Sequence, residues 1–167
     1  GPTYARFSQF VKGPSAVIGY LRTLFDKNSA AVAGHNPLGG WFVVVMLLLL
    51  LVQAVSGLFM TDDIFLDGPY RHLVSNSTLD LMNTLHHLAF DILLWVIGLH
   101  VAAIGFYAVY KKQKLVPPMF HGQKDTEDKP IPSSRLWLAL AVALVTAAAL
   151  YYAIEIAPPA PEVEEYF

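Results

Sequence analysis

Three stretches of this chain are long and apolar enough to cross a hydrocarbon core, which takes about 20 residues of helix. They are WFVVVMLLLLLVQAVSGLFM from Trp41 to Met60, the run from about Leu85 to Tyr110, and LWLALAVALVTAAALYYAI from Leu136 to Ile154. A chain of 167 residues is too short to wrap three such helices in a soluble core, so the lipid bilayer is the expected partner of their surfaces. Composition agrees: 55% of the residues are hydrophobic and only 14% charged, too few polar side chains to coat three helices. The expected fold class is all-α, an integral membrane helical bundle with three transmembrane helices. None of the three reads as a cleaved signal peptide, because the first lies forty residues into the chain and lacks a basic flank and a small-residue cleavage site.

Basic residues are segregated along the chain. Arg6, Lys12, Arg22 and Lys27 precede the first span, only Arg71 separates the first from the second, and Lys111, Lys112, Lys114, Lys124, Lys129 and Arg135 separate the second from the third. None follows the third, so the positive-inside rule places residues 1–40 and 111–135 in the cytoplasm and residues 61–84 and the tail outside. The outer segments carry Asp62, Asp63, Asp67, Asp80, Glu155, Glu162, Glu164 and Glu165, which suits either a basic partner or a plain solvated surface. The organisation expected is a cytoplasmic amphipathic segment and turn over 1–40, a two-helix part of the bundle over 41–110, a cytoplasmic loop over 111–135, an additional transmembrane helix over 136–154 and an acidic outer tail over 155–167. Pro14 is placed to open a short surface helix, Gly34 to Gly40 make a turn-forming lead into the first span, and Asp67-Gly68-Pro69 marks an outer turn. The tail APPAPEVEEYF has the composition of irregular chain.

Charge and cysteine content exclude several function classes. A net charge of −2 gives no basic face for nucleic acid. Absence of Cys excludes disulfides, thiolate-ligated iron–sulfur clusters and covalent c-type haem, so any metal is held by His, Asp, Glu or Met.

The second span nevertheless holds His86, His87, Asp91 and His100, and polar groups at that depth need partners. His86 and His100 stand 14 positions apart, about 40° short of four full turns and about 21 Å along the axis, so they share one face at two depths. His87 is turned about 140° from that face. Two imidazoles so placed suit two haem groups, one above the other across the bilayer, each taking a further axial nitrogen from another helix. A zinc site fits poorly, because groups this far apart cannot share one ion. The plainer alternative is that one His bonds across helices and the other caps near the interface. For Asp91 the two readings are a bond to Gln53 or Ser56 on a neighbouring helix and a proton path to a quinone site. Gly57 and Gly98 permit close approach of a helix or a flat macrocycle, and Arg6, Arg71 and Lys111 read as orientation signals or as partners for haem propionates. Trp41, Tyr110, Tyr151 and Tyr152 read as interfacial anchors.

The stretches YARFSQFVKGP, GHNPLGGW, SGLFMTDDIFLDGP, LHHLAFDILLWVIGLHVAAIGFY and KKQKLVPPMFHGQK together resemble the bacterial cytochrome b561 family, which includes the b-type cytochrome subunits of nickel-iron hydrogenases, over about residues 1–124. The resemblance implies a four-helix diheme cytochrome of the bacterial inner membrane, with a periplasmic tail here, passing electrons between the quinone pool and a periplasmic or membrane-attached redox partner. A c-type cytochrome or a hydrogenase-like protein would be such a partner. It implies that the three spans are the family's third and fourth core helices plus one extra C-terminal span. His86 and His100 then match axial ligands, His86 to the haem nearer the outside and His100 to the one nearer the cytoplasm. Heme b, two in the complete protein, is the implied cofactor, with quinone a further candidate. His35, in the GHNP loop, is not carried over as a ligand. In the family two helices precede YARF and supply the other axial histidines, whereas this chain starts at GPTYARF. That start reads as a fragment, a processed product or one piece of a split cytochrome, with ligation completed by the missing N-terminal helices or another subunit. The competing expectation is a non-redox membrane anchor or assembly subunit whose histidines only bond between helices.

Overall fold

The computed structural model describes residues 3–27, 34–122, 129 and 131–160. Its helices are α1 (Phe7–Phe10), α2 (Pro14–Arg22), α3 (Pro37–Gly57), α4 (Asn76–Val109), α5 (Val116–His121) and α6 (Leu136–Tyr151), the last continuing into a π-helical turn over Tyr152–Ile156. Among the described residues there is no strand, only an isolated antiparallel bridge between Thr61 and Asp67. The fold is all-α, and three helices, Pro37–Gly57, Asn76–Val109 and Leu136–Ile156, are long and apolar enough to cross a membrane.

Two of these helices begin earlier than hydropathy indicates. The first starts at Pro37 because Asn36 caps it: Oδ1 accepts the Gly39 N–H at 2.7 Å and the Asn36 carbonyl accepts the Gly40 N–H at 2.9 Å, with Pro37 preset for the first turn. The second starts at Asn76, nine residues before Leu85, since NSTLDLMNT is helical although six of its nine residues are polar. Hydropathy detects the lipid-facing part of a helix and is blind to polar turns that continue beyond it. At 34 residues α4 is about 51 Å long, more than a hydrocarbon core of about 30 Å can cover without tilt.

Contacts divide the chain into two units, Gly1–Leu48 with Leu93–Arg135 and Leu49–Ile92 with Leu136–Phe167. In the first, Phe10 is buried beneath the start of α3, and a Cβ on Gly40 would lie 2.2 Å from the Phe10 carbonyl oxygen, so only glycine fits. Trp41 Nε1 donates to the Lys12 carbonyl at 2.8 Å and so ties the start of α3 to the segment between α1 and α2. Asn36 Nδ2 donates to the Tyr107 hydroxyl at 2.9 Å, and that hydroxyl is bonded to Tyr20 of α2. The end of α4 closes with the Gln113 N–H on the Tyr107 carbonyl at 2.9 Å and Lys112 in the left-handed region at φ 56°. Lys111 is buried there, its Nζ 5.6 Å from the Tyr107 ring centre and 5.9 Å from that of Tyr20.

In the second unit the loop between α3 and α4 folds back on the end of α3. The Tyr70 N–H bonds to the Leu58 carbonyl at 3.1 Å and the Gly68 N–H to the Met60 carbonyl at 2.7 Å. A Cβ on Gly68 would meet the Leu58 carbonyl oxygen at 2.4 Å, which accounts for the glycine in the expected turn. The Tyr70 hydroxyl donates to the Ala153 carbonyl at 2.6 Å and so holds the π turn that ends the third span. No residue of α6 is buried among the described residues, as befits a helix whose apolar surface meets lipid.

Candidate functional site

Gln53, Ser56 and Gly57 stand three and four positions apart on α3, which puts them on one face. In the second unit that face meets His86 of α4. The Ser56 hydroxyl lies 3.0 Å from His86 Nδ1 and also donates to the Val52 carbonyl of its own helix at 2.6 Å. The Gln53 side-chain nitrogen lies 2.8 Å from His86 Nε2, while Gln53 Oε1 is buried without a hydrogen-bond partner. A Cβ on Gly57 would stand 3.4 Å from His86 Cε1, so the glycine leaves the ring its room. His86 is half-buried and His87, edge-on to it at 6.1 Å, is exposed.

In the first unit His100 is exposed, and its ring lies on that of Phe42 with centroids 5.7 Å apart and planes 16° apart. Among the described residues no hydrogen bond to His100 is formed. An imidazole inside a span without such a bond is costly unless another group takes its nitrogen.

The remaining candidates are not gathered at these sites. His35 rests against Phe10 at 5.3 Å, and His121 ends α5. His72 lines a cavity of about 650 Å³ together with Asp67, Arg71 and Glu155. Arg71 is 3.5 Å from Asp67 in a partly exposed ion pair. Asp91 is exposed and takes no bond from Gln53 or Ser56, because both are engaged by His86. Nothing within 4 Å faces Gly98, so helix packing does not explain it among the described residues. Lys124 and the glutamates Glu162, Glu164 and Glu165 lie outside the described residues.

The donor set suits a porphyrin-bound metal better than a bare ion. No group of three or more His, Asp, Glu or Cys among the described residues could hold an ion alone. Haem iron already has four porphyrin nitrogens and asks one or two imidazoles of the protein; His100 has no hydrogen bond among the described residues, while both nitrogens of His86 are engaged, by Gln53 and Ser56. Gly57 beside one ring and the unbonded state of the other are both compatible with that use.

The family model of prokaryotic cytochrome b561 matches residues 3–122. That stretch includes α1 to α5 and all six histidines, and α6 lies beyond it. No curated protein and no solved structure is significantly similar to the chain.

Proposed function

Because the chain belongs to the prokaryotic cytochrome b561 family, whose members are b-type haem proteins that transfer electrons in membranes, we propose that it is part of a diheme cytochrome in which His86 and His100 each supply one axial nitrogen. It is a multi-pass membrane protein of the haem-b type, and its spans lie in the bilayer. Haem b, when bound, takes up and releases single electrons at its iron. The residues of this chain hold that chemistry in place: two imidazoles on one face of α4, fourteen positions apart, fix two sites about 21 Å apart along the helix axis. Another helix, of this protein or of another subunit, supplies the second nitrogen to each iron. Two imidazoles per iron leave no open position and favour electron transfer over oxygen chemistry.

The electrons pass between the quinone pool and a periplasmic or membrane-attached partner. Asp91, exposed within α4, gives a proton acceptor where a quinol would release one. The basic segments 1–40 and 111–135 face the cytoplasm of a bacterial inner membrane, and the acidic loop and tail face the periplasm. A single observation carries the ligand assignment: His100 lies within a span, inside the matched region, with an aromatic neighbour and no hydrogen bond among the described residues. The competing reading, a histidine that merely ties helices together, draws on the bonds of His86 to Gln53 and Ser56.

The test is a reduced-minus-oxidised spectrum of the protein in its native membrane, with haem counted per polypeptide. Two b-type haems are expected, with His86→Ala and His100→Ala each losing one. Full haem content in either variant would overturn the assignment, and the scaffold reading requires only a modest loss of stability.

A further inference from the structure

We infer that Ser56 is a positioning residue for His86: its hydroxyl fixes the proton on Nδ1 and so leaves Nε2 as the iron-binding nitrogen, which Gln53 covers until iron takes it. The inference rests on the reading of His86 as an axial ligand.

A serine hydroxyl has one proton to give. Ser56 Oγ lies 2.6 Å from the Val52 carbonyl and 3.3 Å from that of Gln53, and a carbonyl can only accept. The proton is therefore committed to the backbone, and toward His86 the same oxygen acts as an acceptor at 3.0 Å. Nδ1 must then carry the hydrogen. With 1% of its surface exposed, Ser56 has no water to offer an alternative. A neutral imidazole protonated on Nδ1 has its lone pair on Nε2.

The other side of the ring agrees with that tautomer. Gln53 presents its amide nitrogen, a donor, 2.8 Å from Nε2, which requires a lone pair there. Turning the amide end for end would set its oxygen against Nε2 and call for a second ring proton, which Ser56 gives no means of avoiding because its own hydrogen is engaged. As placed, Gln53 Oε1 is buried with an unmet hydrogen bond, so this amide gains by rotating once Nε2 is taken. Ser56 has no such freedom. Its role toward the bound iron is the one expected of an outer partner of a ligating histidine: an acceptor on Nδ1–H fixes the ring and makes it a stronger donor, which favours ferric iron and lowers the reduction potential.

Redox titration of the haem-loaded protein in membranes tests this, with His86→Ala identifying which potential belongs to the His86 site. Ser56→Ala is expected to raise that potential alone, and Ser56→Thr, which keeps the hydroxyl, to restore it. Gln53→Leu is expected to load both haems, because Gln53 gives way to the iron. If Ser56→Ala loses this haem outright, retention in Ser56→Thr supports the hydroxyl's role, whereas loss in both overturns it. Unchanged potentials in Ser56→Ala, while His86→Ala still loses a haem, would overturn the inference and leave the ligand assignment standing. Both haems retained in His86→Ala would remove assignment and inference together. Loss of this haem in Gln53→Leu would overturn the part given to Gln53.

Discussion

The imidazole of His100 lies flat on the ring of Phe42, 5.7 Å between centroids and 16° between planes, and this stack is its ring contact among the described residues. His86, by contrast, is held by two hydrogen bonds from α3. The two histidines share a helix face and differ in what steadies them.

That difference predicts unequal sensitivity. An aromatic pair is worth about 0.5–1.5 kcal/mol beyond its buried area, or roughly 2- to 10-fold in binding. On the proposed assignment Phe42→Ala should weaken haem retention at His100 by about that factor and leave the His86 haem at full occupancy. Haem per polypeptide, followed during titration with a competing apoprotein, reads both. Equal loss at the two sites would show that Phe42 acts on the whole bundle.

Asn36 joins two tasks in one side chain, accepting from the Gly39 N–H and donating to the Tyr107 hydroxyl. Asn36→Ala should cost about 1–2 kcal/mol, a lost cap plus a lost side-chain bond. Asn36→Asp keeps the accepting oxygen and should cost less. Thermal unfolding in detergent micelles orders the variants, and an Asp variant as damaged as the Ala variant would assign the effect to the Tyr107 bond.

Two glycines offer an opposed pair. Gly40→Ala pushes a methyl against the backbone at Phe10, which cannot yield as a side chain would, so a loss of about 1–3 kcal/mol or more is expected. Gly19, within α2, has nothing within 4 Å of where its Cβ would stand, and Gly19→Ala should stabilise by about 0.5–1 kcal/mol. The same melting experiment reads both signs.

The spans, the Pro14 start of α2 and the fourteen-residue spacing of His86 and His100 on one helix were legible in the sequence, because each rests on local chemistry or helical period, whereas Pro37 to Gly40 read as turn and are the first turn of α3. The partners of the polar groups were not. Gln53 and Ser56 share a face of α3 whichever residue they meet, and choosing His86 over Asp91 requires the packing of α3 on α4 within that unit. Phe42 and Ser56 are fourteen positions apart, as His86 and His100 are, and that matched spacing was the available signal. The nine residues that open α4, six of them polar, were hidden for a different reason, since apolarity marks where a helix meets lipid and says nothing of where its hydrogen bonds begin.

Tyr70 secures the end of the third span through one bond, its hydroxyl to the Ala153 carbonyl. Tyr70→Phe keeps the ring, which lies 6.2 Å from that of Phe59, and removes only the donor. A cost of about 0.5–1.5 kcal/mol is expected, confined to the π turn. Hydrogen exchange should therefore speed at Ala157, whose N–H bonds to the Tyr152 carbonyl across that turn, with the amides of α3 unchanged.

Asp62 organises the loop between α3 and α4 by accepting three backbone N–H bonds on one oxygen, from Leu66 at 2.8 Å, Ile64 at 3.0 Å and Phe65 at 2.9 Å. These bonds favour the ionised form and hold its carboxyl below the usual carboxylate range, the Leu66 bond contributing most. A group whose folded pKa is depressed contributes its order in full above the unfolded value, about 3.9 for Asp, and loses it as pH falls through the folded value. The loop should thus be constant from neutral pH down to about 5 and loosen only below about 4. The amide proton shift of Leu66, followed by NMR from pH 7 to pH 3, reports this directly, and its midpoint should fall below that of an unstructured aspartate. Asp62→Asn retains an accepting oxygen without a titrating proton, so its Leu66 shift should stay flat over the same range. A Leu66 transition that survives in Asp62→Asn would move the pH sensitivity to another carboxylate of the loop, with Asp63, held next to Asp62 at φ 58°, the first to replace.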